Sequence, residues 1–331
     1  MKITPKRQLL LILLLAISAC SNQQGAAPFL TEEIDLIPEA TAEPTAEDKD
    51  VIPIPFTFTD DLGRVIKLTA IPTRIIATAA SITDILFSLG ADAQVVGRDD
   101  YSIYPEAALD VQSIGSFFGG VPVETILALE PDLIIAAEII SAEQVQEMAD
   151  LGLTVYWQAN PSDFEGLFDN ITELAELTGH EKDALAVNLS LQTRVNSVES
   201  TLVDIAVPVF VFYELDGTDP NNPWTTGSGT FIDFAIAFAG GVNIASELEG
   251  DFAQISSEAV IIANPQAIIL ADAAYGISID SVAQRAGWES ISAVVNNNVH
   301  PFDPTLLSVP GTRLVTGLES LATLLHPTLF E

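Results

Sequence analysis

The sequence predicts an α/β protein of two similar lobes, each built on a central, mainly parallel sheet, joined by one long rigid helix. Three observations predict it. An aromatic, an acid and a proline recur at matched spacing, at Phe118, Glu124 and Pro131 and again at Phe252, Glu258 and Pro265, each set followed by a short apolar run. Short apolar runs alternate with helix-period segments along the body, the pattern of a parallel sheet covered by helices. Between His180 and Ile205 there is no Pro or Gly, while Leu185, Leu189, Leu191, Val195, Val198 and Leu202 recur. Such a stretch reads as one helix of roughly 37 Å at 1.5 Å per residue, long enough to bridge two lobes.

The N-terminus is a targeting segment. Lys2, Lys6 and Arg7 precede the apolar run Leu9 to Ile17, and Ser18-Ala19-Cys20 closes it. This is the three-part layout of a secretory signal, with a run too short for a dependable membrane span. Ile17-Ser-Ala-Cys20 resembles the bacterial lipobox, whose cysteine is lipidated and becomes the new N-terminus. Cys20 is the only cysteine of the chain, so a disulfide within the chain is excluded and lipidation is the economical reading. A plain signal with an incidental cysteine is the alternative. Residues 21–53 are rich in Ala, Thr, Pro and acid without apolar periodicity, the composition of a flexible tether. The body is therefore expected outside the cytoplasm, attached to the membrane through the lipid alone.

Within the body, Phe56 to Leu68 alternates around Asp60-Asp-Leu-Gly63, a hairpin signal. Arg74 to Ala77 reads as a buried strand, and Ser81 to Leu89 as a helix stopped by Gly90. Strands at Val95-Val96, Leu133 to Ala136 and Val155 to Trp157 then alternate with helices at Glu124, at 142–151 and at 163–177. Residues 54–179 form the first lobe, 180–206 the linking helix and 207–331 the second lobe. The second lobe opens with a strand from Val207 to Tyr213 and passes through a loop, Asp216 to Gly229. It then enters a helix at Thr230, repeats the aromatic–acid–proline unit and ends in a helix from Gly311 to Leu325. Each repeated unit is a short helix, with Pro122 or Ser256 near its start and the acid in its first turn, closed by proline and followed by a buried strand.

Composition narrows the function. A 48% hydrophobic share over 331 residues supplies core for about two domains and excludes bulk disorder. The formal charge is −34, and loss of residues 1–19 removes three bases and no acid, so nucleic acid and anionic headgroups are excluded as partners. Gly227-Ser-Gly229 is too short for a phosphate-cradling loop, and no GxSxG or CxxC occurs. The chain is not read as an enzyme. Three scattered histidines do not supply a metal site.

The ordered set Asp60-Asp-Leu-Gly-Arg64, Thr73-Arg-Ile-Ile76, Thr83-Asp-Ile-Leu86, Val96-Gly97, Tyr104-Pro105, Glu124 to Leu133, Gly240-Gly-Val-Asn-Ile244 and Leu325-His-Pro327 resembles the substrate-binding proteins of bacterial ABC importers for cobalamin, haem and ferric siderophores. The resemblance covers roughly 55–327 and is nearest to the cobalamin binder. It implies the class III periplasmic-binding fold, a permease and its ATPase as partners, a bulky small-molecule ligand, a monomer, and no cofactor of its own. It also implies that Glu124 and Glu258 dock onto permease arginines. Two exposed carboxylates at equivalent places on two lobes suit that role, since each can form a charge-assisted bidentate pair with an arginine.

For the ligand, the resemblance gives Tyr101, Phe117, Phe118, Trp224 and Phe252 cleft positions, where aromatic rings offer rigid area to a flat macrocycle. Asp303 and Arg313 are the nearest matches to an acid and an arginine that line the cobalamin binder's cleft. Trp157 and Trp288 read as core. Cobalamin or a related corrinoid is the leading ligand. Haem would be expected to use a Tyr or His axial ligand, for which Tyr101 and Tyr104 are available. An anionic ferric siderophore would need several cleft arginines, with Arg98, Arg285 and Arg313 as candidates. A lipid-anchored structural or adhesive module, which needs no aromatic cleft, is the alternative from another class.

Overall fold

In the computed structural model, which describes residues 56–330, the body begins with an antiparallel hairpin, β1 (Phe56–Thr59) and β2 (Val65–Leu68). The predicted signal segment, Cys20 and the tether lie outside the described residues. The first lobe then runs β3 (Ile75–Ala77), α1 (Ala80–Ser88), β4 (Val95–Asp99), β5 (Ser113–Gly115), α2 (Val123–Ala128), β6 (Leu133–Ala137), α3 (Ala142–Asp150), β7 (Val155–Gln158) and α4 (Phe164–Thr178). Its sheet has the order β5-β4-β3-β6-β7, parallel throughout. Strand order turns back at β3, which pairs with both β4 and β6, so a crevice opens beyond the carboxyl ends of these strands. All five residues of β6 are buried, as a parallel strand covered on both faces requires.

α5 (Glu181–Leu202) is the linking helix. It follows α4 after Gly179, whose left-handed φ of 78° ends that helix. Its 22 residues give roughly 33 Å, a little shorter than expected. It buries Ala184, Leu191, Val195 and Val198, whereas Leu185 and Leu189 face solvent. The apolar recurrence overstated the packed stripe, because the helix is covered along one narrow face only.

The second lobe comprises β8 (Val209–Asp216), β9 (Trp224–Thr226), α6 (Phe231–Phe238), β10 (Gly241–Asn243), β11 (Phe252–Gln254), α7 (Ser257–Ala263), β12 (Ala267–Leu270), α8 (Ile279–Ala283), α9 (Ser292–Val295), β13 (Val299–Pro301), α10 (Thr305–Ser308) and α11 (Leu314–Leu325). Its sheet order is β11-β9-β8-β12-β13, with β10 also on β8. β8, β10, β12 and β13 run parallel, while β9 pairs antiparallel with β8 and β11 antiparallel with β9. The expected loop at 216–229 therefore contains a strand, recruited by pairing with β8 and β11 rather than by any long apolar run of its own.

One hydrophobic cluster runs through both lobes. At its centre Phe164, the first residue of α4, meets Phe231, Phe234 and Phe238 of α6 edge-on at centroid distances of 5.3, 5.6 and 5.2 Å, a favoured aromatic geometry. Arg194 of α5 adds a bidentate pair to Glu319 of α11. The lobes are thus packed on each other as well as tethered by a helix, which leaves little freedom for hinge motion. Trp157 and Trp288 are core, as expected. Among the described residues no helix is long and apolar enough to cross a membrane.

Candidate functional site

The first lobe presents a pocket of about 230 Å³ at the carboxyl ends of β3, β4, β5 and β6. Its wall includes Thr78, Asp99, Tyr101, Phe117, Phe118 and Gln144. Tyr101 and Phe118 form an edge-to-face pair, 5.5 Å between centroids, and both rings remain exposed. Local hydrogen bonds hold them there. The Ser116 hydroxyl accepts from the Phe118 backbone N–H, Gln144 donates to the Phe117 carbonyl, and Asp99 accepts from the Tyr101 N–H. Asp99 also accepts from the Ser102 hydroxyl. Burial pushes its carboxyl above the ordinary range against these bonds, which pull the other way. Phe117 is mostly buried, so it forms the floor.

A second cavity, about 330 Å³, is walled by both lobes. Glu138 and Asn160 come from loops after β6 and β7. Phe231, Asp251 and Phe252 face them from the second lobe, and Ser308 from the segment before α11. Its volume falls in the roughly 300–1,000 Å³ range of ligand sites. The two cavities share the loop after β6: Glu138 lines this one, Ile139 and Ile140 the other. The two cavities adjoin along that loop, with Tyr101, Phe117 and Phe118 in the first and Phe252 in the second, and are the two parts of the candidate cleft.

Not every expected residue is in the cleft wall. Trp224 lies on β9 beside β11, with Phe252 in register with Thr226 two residues on; it is exposed but lines neither cavity. Asp303 accepts from the Thr305 N–H and hydroxyl and so shapes the turn into α10. Arg313 is the residue before α11, and its guanidinium lies 4.1 Å over the Tyr104 ring of the first lobe. Glu138, Asn160, Asp251 and Ser308 went unread in the sequence. They belong to no motif, and the only signal available was that Glu138 directly follows a buried strand.

The two repeated units are alike in detail. α2 and α7 each carry the acid, Glu124 or Glu258, exposed in the first turn. Each unit ends in a left-handed residue before its proline, Glu130 at φ 44° and Asn264 at φ 49°. The next residue does the same work in both lobes: Asp132 accepts from the Arg74 N–H, and Gln266 from the Phe210 N–H, so each clamps its unit to the strand entering the sheet. Among the described residues neither Glu124 nor Glu258 has an ion-pair partner.

Residues 75–305 match the family described as periplasmic binding protein. The chain belongs to the periplasmic binding protein family. It is 29% identical to the uncharacterized ABC transporter substrate-binding lipoprotein YvrC of Bacillus subtilis, over 84% of this chain and 87% of that one. The crystal structure of the periplasmic vitamin B12 binding protein BtuF of Vibrio cholerae superposes with a TM-score of 0.68 at 25% identity, covering 79% of this chain and 99% of that one. The periplasmic heme-binding protein RhuT of Roseiflexus sp. gives 0.69 at 25%, covering 77% and 98%.

In this periplasmic binding protein no histidine or arginine lines either cavity. His300 lies on β13, half-buried and paired through Nε2 with the Asn298 side chain, and burial pushes its pKa down. His180 precedes α5 and contacts Thr178. Arg98 donates to the carbonyls of Ala108 and Asp99. Arg285, a candidate cleft arginine, is instead buried just after α8, where it pairs with the fully buried Glu214 and stacks on Trp288 at 4.5 Å. The pairing offsets the desolvation cost that either charge would carry if buried alone. Among the described residues no His, Cys, Asp and Glu group has the layout of a metal site.

Proposed function

We propose that this protein is the extracytoplasmic, lipid-anchored substrate-binding component of an ABC importer, and that it captures cobalamin or a related corrinoid between its lobes as a monomer. The observation that carries the reading is the cavity walled by both lobes, with Phe252 on one side and the Tyr101–Phe118 pair in the adjoining pocket. Exposed rings in two adjoining cavities suit a broad, flat ligand held by contact area rather than by charge. The similarity to a vitamin B12 binding protein supports the same choice. Delivery would follow docking of Glu124 and Glu258 on the permease, whose ATPase drives import.

A haem ligand is favoured by a different observation, the exposed Tyr101 phenol beside Phe118, which could serve as an axial ligand. Ferric siderophores are the remaining candidates. Tryptophan-fluorescence titration with cyanocobalamin, haem and two ferric siderophores, corrected for ligand absorbance, separates these readings. Trp224 is the exposed tryptophan, Trp157 and Trp288 being buried, so quenching reports on the face that carries Phe252. Saturation by cyanocobalamin at submicromolar concentration is expected. Saturation only by haem or an iron chelate overturns the corrinoid choice and keeps the importer role. No response to any of them returns the structural-module reading.

A further inference from the structure

The cleft has a charge pattern of its own. Its two cavities are lined by no arginine, lysine or histidine, yet Glu138 stands on the first-lobe wall and Asp251 on the second. Both residues are exposed. Glu138 spends one carboxylate oxygen on the Asn160 N–H, at 2.9 Å, which fixes its direction beside the cavity. The third acid, Asp99, is occupied by the Ser102 hydroxyl and the Tyr101 N–H.

Five of the body's six arginines are committed to oxygen acceptors elsewhere, and the sixth, Arg313, lines neither cavity although its Nε has no hydrogen-bond partner. Arg64 is held by Asp60, Arg74 by the Leu129 and Glu130 carbonyls, Arg98 by the Ala108 and Asp99 carbonyls, Arg194 by Glu319 and Arg285 by Glu214. Arg313 is stacked on Tyr104. A carboxylate or phosphate entering this cleft would therefore lose its hydration, find no guanidinium to replace it, and face like charge from both lobes. Specificity of this kind comes from a repulsive element built against the wrong ligand.

We propose that Glu138 and Asp251 act as specificity residues that make the cleft select neutral or cationic macrocycles over those bearing free carboxylates. The proposal rests on the cleft being the ligand site. It divides the candidate ligands by chemistry: peripheral amides or hydroxamates are admitted, whereas propionates and catecholates are disfavoured.

The test uses matched pairs that differ only in charge. One pair is cyanocobalamin and its monocarboxylic acid, in which a single peripheral amide is hydrolysed; the other is haem and the same macrocycle with both propionates amidated. The purified full-length protein is expected to bind the neutral member of each pair about tenfold or more tighter, the factor of one repulsive pair at cleft distances in a partly wet site. The preference should shrink as salt is raised. The isosteric double variant Glu138→Gln/Asp251→Asn should bring the ratio close to one, and Glu138→Lys, which supplies the missing cation, should invert it. Equal affinities in the unaltered protein, or a ratio that the double variant leaves unchanged, overturn the proposal while leaving the cleft reading intact. Absence of saturable binding by all four compounds overturns both.

Discussion

The guanidinium of Arg313 lies 4.1 Å over the ring of Tyr104, so a residue at the head of the last helix of one lobe is stacked on a loop of the other. The backbone beside it is tied to the same lobe. Asp84 of α1, 1% exposed, accepts from the Thr312 hydroxyl at 2.9 Å and from the Arg313 N–H at 3.3 Å. It thus supplies, from the first lobe, a carboxylate at the start of α11, where the helix dipole favours negative charge. Gly311 lies so close to Asp84 that any Cβ would collide with the carboxylate.

Asp84→Ala should therefore destabilise the body by about 1–3 kcal/mol, the cost of leaving buried donors unpaired. Gly311→Ala should destabilise it through the collision. Urea denaturation of the variants measures both. An Asp84→Ala midpoint equal to that of the unaltered protein would refute the cap.

Phe164 of the first lobe is in edge contact with three rings of the second, Phe231, Phe234 and Phe238. Phe164→Ala removes these contacts and opens a cavity between the lobes, for an expected loss of about 3–5 kcal/mol. Since the same residues hold the lobes in register, ligand affinity should fall with it. Thermal unfolding and titration of the one variant test the coupling; a fully stable protein would refute the part assigned to the Phe164 cluster in holding the lobes together.

The exposed acids Glu124 and Glu258 make no ion pair among the described residues. Charge reversal at both, Glu124→Lys with Glu258→Lys, should leave ligand affinity unchanged and abolish uptake by cells that depend on the importer. Lost binding would instead mark them as part of the cleft or of the fold.

Acidity should stabilise this protein down to a limit. Asp84, Asp99, Glu214 and Asp272 all have carboxyl pKa values raised chiefly by burial. Between the ordinary value and the raised one the folded chain holds protons that the unfolded chain has released. Stability from these groups is thus present at low pH and lost as pH rises through the folded values. Asp216 and Asp219 act oppositely. Hydrogen bonds lower their pKa values, so their contribution is lost as pH falls below the ordinary 3.8. The expected profile rises as pH falls toward the ordinary carboxylate range and falls in stronger acid. Asp84→Asn, which removes the titrating group and keeps one acceptor oxygen where the carboxylate offers one to each donor, should flatten the rise in a melting series across pH. An unchanged slope would exclude Asp84 as a contributor.

The two lobes, the linking helix and the repeated unit were all legible in the sequence, because each depends on local chemistry. Proline closing a short helix, an acid in the first turn and a buried strand after it are set by neighbours a few residues apart, so Glu124 and Glu258 could be paired across the chain by their spacing alone. Tyr101, Phe117, Phe118 and Phe252 could be nominated as rings, but whether a ring faces core or cleft is decided by the element packed against it. Trp224 and Asp303 show the other outcome: the right residue types, placed beside the cleft rather than in its wall. The roles of Glu138, Asp251, the Phe164 cluster and the Asp84 cap could not be read in the sequence, since each depends on residues far apart in the chain. Their partners are chosen by how the two sheets pack, and only the tertiary structure decided that.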